Sequence, residues 1–120
     1  TIWTIALDTT GAWVVTGSGG RCVLWRRSNS TELLVEQVYA TGNTDLIFSG
    51  SGAISSDGAL VAFGTRTGEV LCGPSQHPSL SVLPGSATSL IENVTFDPGG
   101  QVVAAIEAAG QLLIWNVATQ

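Results

Sequence analysis

The chain has no lysine and no methionine, and its four basic residues are all arginines: Arg21, Arg26, Arg27 and Arg66. Without lysine there is no Walker A phosphate loop, no Schiff-base chemistry and no lysine general base. Charge of either sign is scarce, at 11% of residues, where about a quarter is usual. A net charge of −5 speaks against a phosphate-tracking surface, because nucleic-acid affinity rests mainly on cation–phosphate contacts. No apolar run approaches the roughly 20 residues of a membrane-spanning helix, and no signal peptide opens the chain. Residues 70–91 carry no full charge, but Pro74, Pro78 and Pro84 break them into turns. The expectation is a soluble protein with no nucleic-acid partner and no membrane insertion. Methionine is missing even at Thr1, which points to a processed chain or a piece of something longer.

What is present argues for a folded β protein. Hydrophobic residues make up 44% of 120 residues, which excludes a disordered tail of low hydrophobicity and high net charge. The length suits one domain. The 15 glycines fall in a pattern. Three segments align: Ile5–Gly11, Ala12–Gly17 and Gly20–Arg26; then Ala53–Gly58, Ala59–Gly64 and Gly68–Gly73; then Val94–Gly100, Gln101–Ala105 and Gly110–Asn116. The aligned glycines Gly11, Gly58 and Gly100 stand 47 and 42 residues apart, and Gly20, Gly68 and Gly110 follow them by 9, 10 and 10. Those intervals fit one strand plus one turn.

Each repeat therefore offers an a, a b and a c strand. Asp57-Gly58 and Pro98-Gly99-Gly100 suit tight hairpins, since glycine accepts positive φ without a Cβ clash. Leu33–Ala40 and Leu80–Pro84 supply a fourth, d strand to the first two repeats, while the third stops after its c strand. No segment sustains a 3.6-residue apolar period, so helix is not expected. The pattern predicts three antiparallel four-stranded units, the last lacking its outer strand, with eleven strands in all.

These repeats resemble the WD-repeat (WD40-type) β-propeller family over nearly the whole chain. Asp97-Pro98-Gly99-Gly100 and Ile114-Trp115-Asn116 match the family's turn and blade-end tryptophan best. Val23-Leu24-Trp25-Arg26 keeps the tryptophan but has arginine in place of aspartate, and the second repeat has Cys72-Gly73 there. The family's Gly-His pair is missing, so its Asp–His–Ser/Thr–Trp network is not carried over. The resemblance implies an all-β partial propeller over 1–120, an incomplete ring with blades at about 1–42, 43–86 and 87–120. Gly11, Gly58, Gly100, Asp57, Asp97, Trp25 and Trp115 take structural positions in it. Independently, Val14-Val15, Leu60–Phe63, Val102–Ile106 and Leu112–Ile114 read as near-continuous apolar runs, as strands buried on both faces should.

Chemistry-bearing residues are few. Cys72 with His77 invites a nucleophile–base pairing, but no oriented third group accompanies them, and an exposed loop histidine beside a buried cysteine explains both. Cys22 and Cys72 fall on c strands of different blades, too far apart for a bridge that needs Cα atoms within about 7 Å. They are expected as buried free thiols and, with one histidine, make no zinc site. Gly17–Gly20 and Ser49–Gly52 precede no helix and read as turns or bulges, not phosphate loops. Asn29-Ser30-Thr31 and Asn93-Val94-Thr95 match the N-glycosylation triplet. No catalytic, cofactor or metal residue is expected.

Partner-binding candidates are Arg21, Arg26, Arg27 and Arg66, which as a group would give an acidic protein one basic rim, and Trp3 and Trp13. The bland alternatives are solvated strand ends for the arginines and core filling for the tryptophans. The resemblance implies a non-enzymatic scaffold for protein partners, completed by another copy, another chain or more of its own. The competing expectation is a secreted or surface propeller subunit that binds carbohydrate or another ligand. Two cysteines expected to be free lean towards an intracellular, cytoplasmic setting; low charge and Ser/Thr richness lean towards a secreted one.

Overall fold

The computed structural model describes residues 2–18, 21–29, 31–39, 47–77, 80–84 and 89–117, leaving the side chains of Ile2 and Trp3 outside that description. The expected blade boundaries near 42–43 and 86–87, together with Gly19, Gly20, Ser30 and Pro78, also lie outside it. Among the described residues eleven strands follow in order: β1 (Ile2–Leu7), β2 (Trp13–Ser18), β3 (Arg21–Arg27), β4 (Leu33–Tyr39), β5 (Phe48–Ile54), β6 (Leu60–Thr65), β7 (Val70–Pro74), β8 (Ser81–Val82), β9 (Ile91–Phe96), β10 (Val102–Glu107) and β11 (Leu112–Asn116). They form three antiparallel meanders, β1-β2-β3-β4, β5-β6-β7-β8 and β11-β10-β9. Among the described residues the third sheet has three strands, as expected. Among the described residues there is no helix.

The a–b turns show why the chain folds back where it does. Gly11, Gly58 and Gly100 adopt φ of 72°, 78° and 69°, a left-handed conformation that costs other residues a Cβ clash. Three residues earlier, Asp8, Ser55 and Asp97 accept hydrogen bonds from the amides of Trp13 (3.2 Å), Leu60 (3.0 Å) and Val102 (2.9 Å). Each bond fastens the start of a b strand to the end of its a strand. Asp57 sits two positions later than Ser55 and caps its own turn by accepting from Ala59 N at 3.0 Å.

Strand alternation gives each sheet a face towards the preceding blade and a face towards the next. Val15, Cys22 and Leu24 of the first sheet meet Ile54, Val61, Phe63 and Leu71 of the second in one apolar cluster. Ala53, Ala62, Val70 and Cys72, from the opposite face of the second sheet, meet Ile91, Val94, Val103, Ala105 and Trp115 of the third in another. Only the middle blade is covered on both faces, and Val61, Ala62 and Phe63 are completely buried there. Uninterrupted apolar strands are required at such positions, which accounts for the scarcity of charge.

Polar groups inside the interfaces are paired, and among the described residues no buried side-chain polar atom lacks a partner. Trp25 Nε1 donates to Thr16 Oγ1 within the first blade at 2.9 Å. In the third blade Ala105 stands at the Thr16 position, and Trp115 Nε1 donates instead to Pro84 O on the preceding blade at 2.6 Å.

Candidate interaction surfaces

The two outer blades each leave one apolar face open. On the first, Ile5 and Leu7 are 66% and 58% exposed. By repeat spacing Leu7 is the counterpart of Ile54 and Phe96, which pack against or within the interblade clusters. On the third, Ile106, Leu112 and Ile114 are 44%, 62% and 64% exposed. Cross-strand pairs Ile106–Leu112 and Ala104–Ile114 put them on one face. Their counterparts Gly64, Val70 and Cys72 are buried. Among the described residues β11 is also an edge strand of its sheet, and a sheet edge can accept a further strand.

Concavities lie on the same surfaces. A cavity of about 200 Å³ on the first blade is lined by Thr16, Ser18, Arg21, Val23, Trp25 and Val35. One of about 110 Å³ on the third lies among Thr95, Ala104, Ile106 and Leu112. The largest of the three, about 440 Å³, runs along the starts of the a strands, between Thr4, Ser49–Ser51 and Leu90–Asn93. There Ser49 Oγ and Ser51 Oγ both donate to Ile91 O, at 2.7 and 3.3 Å, joining the second and third blades. No local sequence signal marks this groove, because only the gathering of three a strands creates it.

No family model matches the chain, and no curated protein sequence is similar to it. Solved structures are. The β-propeller domain of Myceliophteria thermophila Cps50 (Swd1) superposes over 97% of this chain with a TM-score of 0.82 at 20% identity. The C-terminal WD40 domain of Sif2 does so over 98% with a TM-score of 0.75 at 16% identity. The fold is a WD40-type β-propeller. The chain spans 40% and 34% of the lengths of those two proteins. Three blades are a partial propeller, since closed rings have about 4–8.

Within the partial propeller the four arginines do not share a rim. Arg21 pairs with Ser18 at one end of β3, and Arg26 with Trp13 at the other. Five residues of extended strand separate them by about 17 Å. Arg66, in the b–c turn of the second blade, lies at the Arg21 end, and its amide donates to Ile47 O at 2.8 Å. Arg26 is held by Glu36 at 3.3 Å on the surface, a pair worth little in stability. Trp13 is half-buried and packs on the cluster between the first two blades, against Gly58 of the second. Trp3 lies on β1, and its side chain is outside the described residues.

The thiols are embedded in the propeller. Cys22 and Cys72 are both free and buried, one in each interblade cluster. Burial pushes the Cys72 thiol up to about 11, opposite to the shift that activates a nucleophilic cysteine. His77 is exposed in the turn after β7. Among the described residues no cluster of three His, Cys, Asp or Glu side chains is arranged to hold a metal, and no helix is long and apolar enough to cross a membrane. Asn29 is exposed in the c–d connection, with its Oδ1 accepting from Thr31 N at 2.9 Å. Asn93 lies within β9.

Proposed function

We propose that the chain is one section of a larger propeller that serves as a non-enzymatic scaffold for protein partners, its ring completed by further blades from another chain, another copy or the same polypeptide. One observation carries this reading. Ile106, Leu112 and Ile114 occupy positions whose equivalents in the second blade, Gly64, Val70 and Cys72, are buried against a neighbouring blade. An exposed face with the composition and register of a buried one is an interface awaiting its other half. Sequence similarity to the solved propellers is low, so the scaffold role rests on fold analogy.

Static light scattering with a hydrophobic dye tests ring completion. The isolated chain is expected to bind dye at its open faces, and a polypeptide supplying the missing blades should abolish that binding. A stable, dye-negative monomer overturns the reading. Turnover of a substrate by the completed propeller would overturn the non-enzymatic half of it.

A further inference from the structure

The two internal blade interfaces close on a glycine, and the third blade has an isoleucine in its place. Gly17 on β2, Gly64 on β6 and Ile106 on β10 are equivalent by spacing and by register, lying opposite Thr4 on β1 and Asn93 on β9 in the first and third blades. A Cβ on Gly17 would stand 2.9 Å from Gly50 O, on the a strand of the next blade. A Cβ on Gly64 would stand 2.4 Å from Ile91 Cγ2 and 2.5 Å from Ile91 Cβ, again on the next a strand. Both contacts fall where that a strand breaks register, at Phe48/Gly52 in β5 and opposite Ile106/Glu107 in β9. The hole is therefore on the b strand, and the following a strand fills it. On the third blade Ile106 fills its own hole and projects outward, 44% exposed.

A blade that docked there in the internal geometry would drive its a strand into Ile106. Overpacking of this kind is costly in a close-packed interface. A second copy of this chain would bring β1, which breaks register at Ile2/Thr4 as β9 does beside Ile91, and which has no glycine over Ile2–Leu7 to make room for Ile106. The opposite end of the arc is ordinary: Leu7, Val14 and Val23 match Ile54, Val61 and Leu71 in type.

Resting on the ring-completion reading, we propose that the open face of the third blade is a site for a blade of different sequence, with a glycine on its a strand opposite Ile106. Ile106 excludes a second copy of the chain. The knob that internal interfaces carry on the incoming strand is here on the receiving one, so the hole belongs to the partner.

The test uses the 120-residue chain and a disulfide trap. Equivalent turn residues touch across both internal interfaces: Thr9 N donates to Ser56 O at 2.8 Å, and Ser56 Oγ to Pro98 O at 2.7 Å. Head-to-tail docking would set Pro98 of one copy beside Thr9 of the next, so a Thr9→Cys/Pro98→Cys variant reports it. With Ile106 intact little trapped dimer is expected. I106G should tighten head-to-tail association about tenfold, the equivalent of removing an overpacked contact, measured by sedimentation velocity and trapping. I106A, which keeps better strand propensity, should move the same way. Trapped dimers indifferent to residue 106, or no gain in either variant while the wild type binds dye, overturn this proposal and leave ring completion standing. A dye-negative monomer in every variant overturns both.

Discussion

The hydroxyl of Tyr39 donates to the backbone carbonyl of Ser75 at 2.6 Å, tying the outer strand of the first blade to the turn after β7 in the second. Tyr39 is 3% exposed and Ser75 2%, and the Tyr39 ring stacks at a tilt on Phe63 with centroids 5.1 Å apart. Tyr39→Phe keeps the ring contact and removes the donor, leaving a buried carbonyl short of a partner. The expected cost is about 1–2 kcal/mol, read as a lower urea midpoint at unchanged m-value. No loss would mean that water reaches Ser75 O and that the blades are less tightly closed there.

Two glycines with similar φ should respond differently to alanine. Gly58 (φ 78°) has Trp13 Cδ1 at 2.8 Å from a prospective Cβ, while Gly110 (φ 95°) has open space around it. Both substitutions force an alanine into a left-handed conformation, at about 1–2 kcal/mol. Only Gly58→Ala must also displace Trp13 from the first interblade cluster. Gly58→Ala should therefore be the more destabilising in chemical denaturation, and Trp13 fluorescence should shift with it. Equal losses would show that Trp13 moves aside freely.

Much of this was legible in the sequence, because glycine spacing sets strand phase and strand phase sets faces. Gly11, Gly58 and Gly100 located the a–b hairpins. What could not be read was partner choice at each position. Thr16 meets Trp25 within a blade, yet Trp115 reaches across to Pro84, and nothing local distinguishes the two tryptophans except Ala105 standing where a hydroxyl would be. The arginines resisted for another reason: composition registers a cluster of positive charge, but Arg21 and Arg26 are at opposite ends of one strand. Ile106 was visible all along as one member of an apolar run. Its meaning depends on what Gly17 and Gly64 touch, which is a tertiary fact.

Acid should loosen the a–b turns. Hydrogen bonds from Ala59 N and Ser55 Oγ hold the Asp57 carboxyl below its usual range, and bonds from Val102 N and Gln101 N do the same for Asp97. A carboxyl with a depressed folded pKa stabilises above its unfolded value, about 3.9. That stability is lost as pH falls through the lower folded value. Below about pH 4 the thermal midpoint should drop, and Asp57→Asn with Asp97→Asn should flatten the drop. An unchanged acid limb in the double variant would place the acid-sensitive groups elsewhere.

Both thiols should be silent until the propeller opens. Burial pushes Cys72 to about 11 and Cys22 higher still, and only thiolate reacts with alkylating reagents. Native protein at neutral pH should label neither, with both labelled in denaturant. Since Cys22 and Cys72 lie in different interblade clusters, pulse labelling at intermediate urea separates the opening of the two interfaces. Faster labelling of Cys72 would mean that the second and third blades part first.

The open faces should be separable from the charged surface. Leu7→Glu and Ile114→Glu each place a charge on an exposed apolar residue whose equivalents pack between blades, Ile54 for Leu7 and Cys72 for Ile114. In the isolated chain these changes cost little, since both residues are now more than half exposed, and they should reduce dye binding. Against ring-completing blades the same changes bury an unpaired carboxylate, at several kcal/mol, and should abolish assembly. Arg26→Ala removes only a surface ion pair and should leave both properties within about 0.5 kcal/mol of wild type. If Arg26→Ala weakens assembly as much as Ile114→Glu does, the partner contacts lie on the a–b turn rim and the blade faces are bystanders.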